Sequence, residues 1–328
     1  MNSKIIGTGS FLPKKAMSND DLAQFLDTSD EWISTRTGIR QRMCADYRND
    51  ESCSDMAIHA SKKALAMADI DASDLDMIIT ATITPDYRLP TVSCQLQEAI
   101  GAKGVPAFDL SAACAGSLYG LSLADALIKN QSHQNVLVVA SEAMSSLINW
   151  QDRNTAVLFG DGASAAVVSR CDSATKGFID FDLYADGCQQ KTIWVKAGGS
   201  KNPIDKDAIS NGDDKIFMNG RETYKFAVRA MCDTVEKICA DNGVDMQDIA
   251  FAVPHQANLR IIEAIAKRLN IPMDRFLINL DRYANTSAAS LLLAYDEANR
   301  QHRFKSDDLI LMLAIGAGFV WGAALYRV

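Results

Sequence analysis

The chain has 328 residues, 48% of them hydrophobic, with 41 acidic against 33 basic side chains and a formal net charge of -8. That length exceeds what one core usually organises and implies two domains or one large duplicated α/β unit. The acidic balance excludes a general nucleic-acid binder, because phosphate contact needs a basic surface, and no segment reaches the ~18 unbroken apolar residues of a membrane span.

The opening MNSKIIGTGSFLP has no charged region followed by a long apolar stretch, so it reads as a first strand rather than a signal peptide. A cytoplasmic protein without membrane contact is expected. The eight cysteines are scattered without a C-x-x-C pair, which argues against a disulfide framework and against a metal cluster. Most of them should be small buried hydrophobes.

Apolar β-branched runs alternate with helix-period segments along the whole chain, the pattern of an α/β layered fold. The predicted strands are LDMIITATI, VPAFDL, NVLVVAS, AAVVSR, DIAFAV, RFLINL, DLILMLAI and WGAALYRV. A helical pattern over 51–68 precedes the first of these, and one over 220–241 precedes DIAFAV.

The two halves repeat this order of parts. SCQLQEAIGAKG leads to VPAFDL and SAACAGS; LRIIEAIAKRLNIP leads to FLINL and YANTSAAS. The offset agrees as well, with 30 positions from Thr84 to Cys114 and 30 from His255 to Asn285. A duplicated domain follows, divided into residues 1–172 and 173–328. In open α/β units ligands bind beyond the carboxyl ends of strands, where Cys114, His255 and Asn285 all fall.

Cys114 stands where a buried strand gives way, through small residues, to an amphipathic helix. The unpaired N–H groups and dipole of a helix start favour a thiolate, the nucleophilic form. His255 follows Pro254 at a strand end, whereas His59 lies inside a predicted helix and His133 and His302 lie in polar surroundings. Asn285 is either a helix N-cap or the amide of a catalytic set. The glycine-rich FGDGASAA and IGAGFVWGAAL do not match the phosphate-loop pattern. They read as places where backbone approaches the site closely, with a main-chain N–H near Ala317 able to serve an oxyanion hole.

DTSDEWISTRTGIRQR, AFDLSAACAGSLYGL, RNTAVLFGDGASAAVV, VPHQANLRII, NTSAAS and GAGFVWGAALYRV, in that order, resemble β-ketoacyl-acyl-carrier-protein synthase III of the thiolase superfamily. The resemblance covers almost the whole chain. It implies a five-layered αβαβα fold from two fused halves, a homodimer, and a Cys-His-Asn set at Cys114, His255 and Asn285.

It also implies two half-reactions without a cofactor, the CoA thioester being a substrate. A short acyl-CoA, acetyl as first expectation, loads Cys114 while the N–H groups of Cys114 and Ala317 bind the oxyanion. Malonyl on an acyl carrier protein then loses CO₂, and the enolate, stabilised by donors on His255 and Asn285, attacks the acyl-enzyme. Fatty acid synthesis begins with this step.

The resemblance assigns CoA binding to Trp32, Arg36, Arg153, Gly220 and Asn258, with Met218–Gly220 along the pantetheine tunnel. It assigns carrier-protein docking to Lys225, Arg260, Lys267 and Arg268. Leu89, reaching across the dimer, and Met144 would shape the acyl pocket.

Two departures stand out: Ile315, where the family often has Phe, and Arg88, where apolar residues are common. Other readings are a transferase or specialised-metabolite condensing enzyme with another starter or acceptor. A thiolase proper would carry a second cysteine in the C-terminal glycine loop, and a papain-like hydrolase a C-G-S-C-W-like segment. Neither occurs here. A catalytically silent scaffold would have lost the cysteine or the histidine.

Overall fold

The computed structural model describes residues 2–328 as two β-sheets with helices between and outside them. The first sheet runs, edge to edge, Asn2–Phe11, Gly162–Cys171, Asn135–Glu142, Met77–Ala81 and Ala107–Leu110. Its last three strands are parallel and the first two antiparallel. The second sheet runs Ile249–Pro254, Leu309–Gly316, Val320–Arg327 and Gly177–Ala185, again with a parallel pair followed by antiparallel neighbours.

The match between the sheets is strand for strand except at one edge. RFLINL, predicted as a strand, supplies only an isolated parallel bridge from Phe276 to Ala252 and a Leu277 N–H donated to the Ala252 carbonyl. A 3₁₀ turn over Met273–Arg275 and the helix Leu280–Tyr283 leave too few extended residues between them for a ladder. The strand Gly177–Ala185 and the short pairs Lys15–Ser18/Gln41–Cys44 and Ile193–Val195/Ile216–Met218 were not anticipated. The division at 172/173, proposed on this matched order, falls between Gly162–Cys171 and Gly177–Ala185.

The central layer consists of the helices Gly116–Lys129 and Ser290–Arg300, whose Leu118, Leu121, Leu291 and Leu292 pack with residues of both sheets. Outside the first sheet lies Cys53–Ala68, started by a reciprocal Ser52–Asp55 capping box. Outside the second lie Gly220–Asp241 and Leu259–Leu269. Central strands covered on both faces must be apolar throughout rather than alternating, and every residue of Asn135–Glu142 and of Leu309–Gly316 is buried.

Both central helices begin where the sheets' parallel strands end. Ahead of Gly116–Lys129 comes a 3₁₀ turn, Ala113–Ala115, and ahead of Ser290–Arg300 another, Ser287–Ala289. Ala113 (φ 44°), immediately before Cys114, and Ala284 (φ 58°), immediately before Asn285, occupy the positive-φ region. Non-glycine residues held there cost ~1–3 kcal/mol and cluster at functional sites.

No described helix is long and apolar enough to cross a membrane. All eight cysteines are unpaired, and among the described residues no cluster of His, Cys, Asp and Glu is placed to hold a metal ion.

Candidate active site

A cavity of ≈ 250 Å³ is lined by Cys114, His255 and Asn285 together, with Ala317 and Ile315 beside them. Three connections between elements bring them there. Cys114 sits on the turn ahead of its helix, two residues before Gly116. His255 follows the strand Ile249–Pro254 and is tied to the neighbouring strand by its N–H on the Leu313 carbonyl, at 2.8 Å.

Asn285 is held through backbone pairing with the glycine loop of the other half. Its N–H donates to the Leu158 carbonyl at 2.9 Å, and its carbonyl accepts from Gly160 N–H at 3.0 Å. Only glycine fits at 160, since a Cβ there would lie 2.5 Å from the Tyr283 carbonyl. The second glycine loop behaves alike: a Cβ on Gly316 would come within 2.7 Å of the Cys114 nitrogen. Close backbone approach is therefore the service both loops perform.

The side chains are polarised by their second contacts. Asn285 Oδ1 accepts from Ser287 N–H at 2.8 Å, which leaves the carboxamide NH₂ for the cavity. His255 Nδ1 lies 2.6 Å from Ser290 Oγ. Burial pulls the imidazole from 6.5 to about 3, so it is neutral at physiological pH and carries one N–H. The single Ser290 hydroxyl proton goes to Nδ1 at 2.6 Å rather than to the Ser287 carbonyl at 3.0 Å, which places the imidazole N–H on Nε2.

Cys114 departs from expectation. Burial pushes its thiol up to about 12, the nearby Glu142 adds to this, and the contact with Ser287 opposes it. Desolvation is the largest of these influences, and the resting group is a thiol.

At the outer end the cavity is lined by Arg36, Met218, Gly220, Asn258 and Arg260. Asn258 donates to the Arg36 carbonyl at 3.2 Å and Arg260 to the Thr35 carbonyl at 2.9 Å, joining the helix Leu259–Leu269 to Asp30–Thr37. On the latter helix the guanidinium groups of Arg36 and Arg153 each lie over the Trp32 ring, 4.7 Å from its centroid. Arg153 is anchored by the Asp27 carbonyl at 2.7 Å.

Other candidates separate from this cluster. Met144 is buried and lines the cavity, but Leu89 is 82% exposed and lines no part of its own chain's cavity. Arg88 beside it donates to the Gly198 carbonyl. Lys225 is paired with Glu222 at 3.1 Å, and Arg268 with Asp233 and Glu236. Both are exposed and stand apart from the cavity, as does Lys267.

Sequence reasoning passed over several residues of the wall and its support: Ile83, Phe159, Thr223, Phe319, and the polar trio Glu142, Ser287 and Ser290. One signal was available, since an acidic residue ending the apolar run NVLVVASE is out of place in a buried strand.

Family models for 3-oxoacyl-[acyl-carrier-protein (ACP)] synthase III match residues 108–187, and those for its C-terminal part match 239–328. A protein of Caldanaerobacter subterraneus named beta-ketoacyl-[acyl-carrier-protein] synthase III is 46% identical over 323 residues, covering 98% of this chain and 97% of that one. The chain belongs to the 3-oxoacyl-[acyl-carrier-protein] synthase III family.

The solved 3-oxoacyl-[acyl-carrier-protein] synthase III of Aquifex aeolicus superposes with a TM-score of 0.91 at 43% identity, covering 99% of this chain and all of that one. The thiolase-like fold expected from the motifs is thus the fold of this family member. The priming β-ketosynthase of the R1128 polyketide pathway is similar too, at 32% identity and a TM-score of 0.91 over 99% of this chain and 96% of that one.

Proposed function

We propose that this family member carries an acyl group on Cys114 and condenses it with malonyl on an acyl carrier protein, releasing CO₂ and a β-ketoacyl thioester. The observation that carries the reading is the convergence of Cys114, His255 and Asn285, from two halves of the chain, on one cavity. The arginine-bounded opening at Arg36 and Arg260, with Arg153 beside it, suits the phosphates of CoA, and Trp32 offers a stacking face for its adenine.

In the first half-reaction the thioester carbonyl sits against the Cys114 and Ala317 N–H groups. The sulfur attacks, the Cys114 proton leaves it, and the CoA thiolate departs. In the second, the malonyl thioester oxygen faces His255 and Asn285. Its carboxylate leaves as CO₂, and the electron pair passes into an enolate that the two donors stabilise. Neutral donors suit that task, because a charged imidazolium would protonate the enolate carbon's electron pair instead of holding it ready. The enolate carbon then bonds to the acyl carbon and the Cys114 sulfur leaves.

Met144 would bound the acyl chain, and Leu89 would do so in the partner copy of a homodimer. Carrier-protein docking falls to Arg260 at the rim, with Lys225, Lys267 and Arg268 on the flanking helices. Ile315 leaves more room beside Cys114 than a phenylalanine would. The test is to incubate the protein with a panel of acyl-CoAs, measure the mass added to the Cys114 peptide, and then supply malonyl-carrier protein. Loading followed by a β-ketoacyl product supports the reading; loading without condensation identifies a transferase instead.

A further inference from the structure

Glu142 is fully buried at the end of the strand Asn135–Glu142 and belongs to none of the roles above. Its Oε2 accepts from Thr84 Oγ1 at 2.7 Å and from Ile83 N–H at 3.2 Å. Its Oε1 accepts from Ser287 Oγ at 3.0 Å. Ser287 Oγ in turn is 3.5 Å from Cys114 Sγ, with the thiol donating.

A hydrogen-bonded line therefore runs from sulfur through a hydroxyl to a carboxylate. Among the described residues no basic side chain is paired with the carboxylate. The titratable groups facing it are the Cys114 thiol from the turn and the Cys53 thiol from the helix Cys53–Ala68, with Asp86 beyond Cys53. An unpaired buried carboxylate is costly to keep, and such groups concentrate at functional sites.

Ser287 is held for this position. It adopts φ 50°, its N–H fixes Asn285 Oδ1, and its carbonyl lies 3.0 Å from the Ser290 hydroxyl that contacts His255 Nδ1. One strained serine thus touches the cysteine and the Asn285 side chain directly and reaches His255 through Ser290.

We infer that Ser287 and Glu142 form the proton relay of Cys114, with Ser287 in direct contact and Glu142 acting through it. As the sulfur's electron pair forms the bond to the acyl carbon, the S–H bond breaks and its proton passes to Ser287 Oγ. The Ser287 proton passes to Glu142, and the CoA thiolate leaves as an anion. Glu142 stays a neutral acid while the acyl-enzyme waits, so the malonyl carboxylate enters without meeting a second buried charge.

When the new C–C bond forms, the Cys114 thiolate leaves and recovers the proton by the same path, restoring the carboxylate. Burial raises Glu142 to about 7, whereas His255 lies at about 3. The carboxylate is therefore the stronger proton acceptor of the two.

This inference rests on Cys114 being the nucleophile. Its test is the rate of acyl transfer from acetyl-CoA to Cys114 as a function of pH in the wild type, Glu142→Gln and Ser287→Ala. The wild-type rate should rise through an inflection near about 7.

Both variants should lose that inflection, load about 10²-fold more slowly at neutral pH, and keep the same half-saturating acetyl-CoA concentration. Loading within about twofold of wild type and with an unchanged profile in both variants overturns the relay while leaving the nucleophile intact. Undiminished loading of Cys114→Ala overturns the underlying reading instead. Should a variant not fold, a wild-type profile without an inflection between about pH 6 and about pH 8 is sufficient to reject the relay.

Discussion

Two buried groups at the site titrate in opposite senses, and stability measurements can separate them. His255 is depressed from 6.5 to about 3 by burial, so below 6.5 the unfolded chain binds a proton that the folded chain refuses. Its contribution is complete above 6.5 and is lost as pH falls towards 3. Glu142 is raised from 4.5 to about 7 by burial, so between these values the folded chain holds a proton that the unfolded chain has released. Its contribution is complete below 4.5 and is lost as pH rises through about 7.

One pK unit corresponds to ~1.4 kcal/mol. Between about pH 7 and about pH 5, His255 therefore removes ~2 kcal/mol of stability and Glu142 adds ~2 kcal/mol. In the wild type the two nearly cancel. His255→Gln keeps a polar partner for Ser290 without titrating, and Glu142→Gln can turn its NH₂ towards Ser287 Oγ while its oxygen stays on Thr84. Urea unfolding over this range should show His255→Gln gaining ~2 kcal/mol relative to wild type on acidification and Glu142→Gln losing ~2 kcal/mol. All other groups are common to the three proteins and drop out of the differences. Parallel behaviour of both variants and the wild type would refute the assignment of a neutral imidazole and a high carboxyl.

Cys114→Ala should abolish acyl loading, read by mass spectrometry, whereas His255→Ala and Asn285→Ala should still load and lose malonyl decarboxylation by about 10²–10³-fold, the usual loss for one such donor. Gly316→Ala places a methyl 2.7 Å from the Cys114 nitrogen and 3.0 Å from the Ala112 carbonyl. These are backbone atoms that cannot turn aside, so thermal unfolding should register ~1–3 kcal/mol of destabilisation, and loading should fall as the Cys114 amide is displaced. Trp32→Ala should raise the half-saturating acyl-CoA concentration about tenfold, from ~1–2 kcal/mol of lost stacking. Loading from a short pantetheine thioester that lacks the nucleotide should not change.

Helix starts and central strands were legible because their causes are local. The apolar runs 135–141 and 308–315 give strands buried over their full length, and the helical pattern over 51–68 gives the helix Cys53–Ala68. The alternating acids of Gly177–Ala185 hid that strand, whose Asp180 and Asp182 project away from Phe178. RFLINL failed in the opposite sense. Its composition is that of a strand, but the turn and helix at its ends leave only one bridge.

At the site the same distinction operates over a longer range. Cys114, His255 and Asn285 could be read because each comes shortly after an apolar run of strand composition, VPAFDL, DIAFAV and RFLINL, and because the repeat assigns equal spacing to both halves. The positions that the repeat pairs differ chemically: Thr84, matched to His255 in the sequence pattern, binds Glu142 rather than facing the cavity. Glu142 and Ser287 could not be paired from the sequence, since 145 positions separate them and only the meeting of the two halves closes the distance to 3.0 Å. In the proposed mechanism the first half supplies the nucleophile and the carboxylate, and the second supplies the donors and the serine that joins them. Neither half holds a complete site, so the proposed chemistry depends on how the two sheets meet at this cavity.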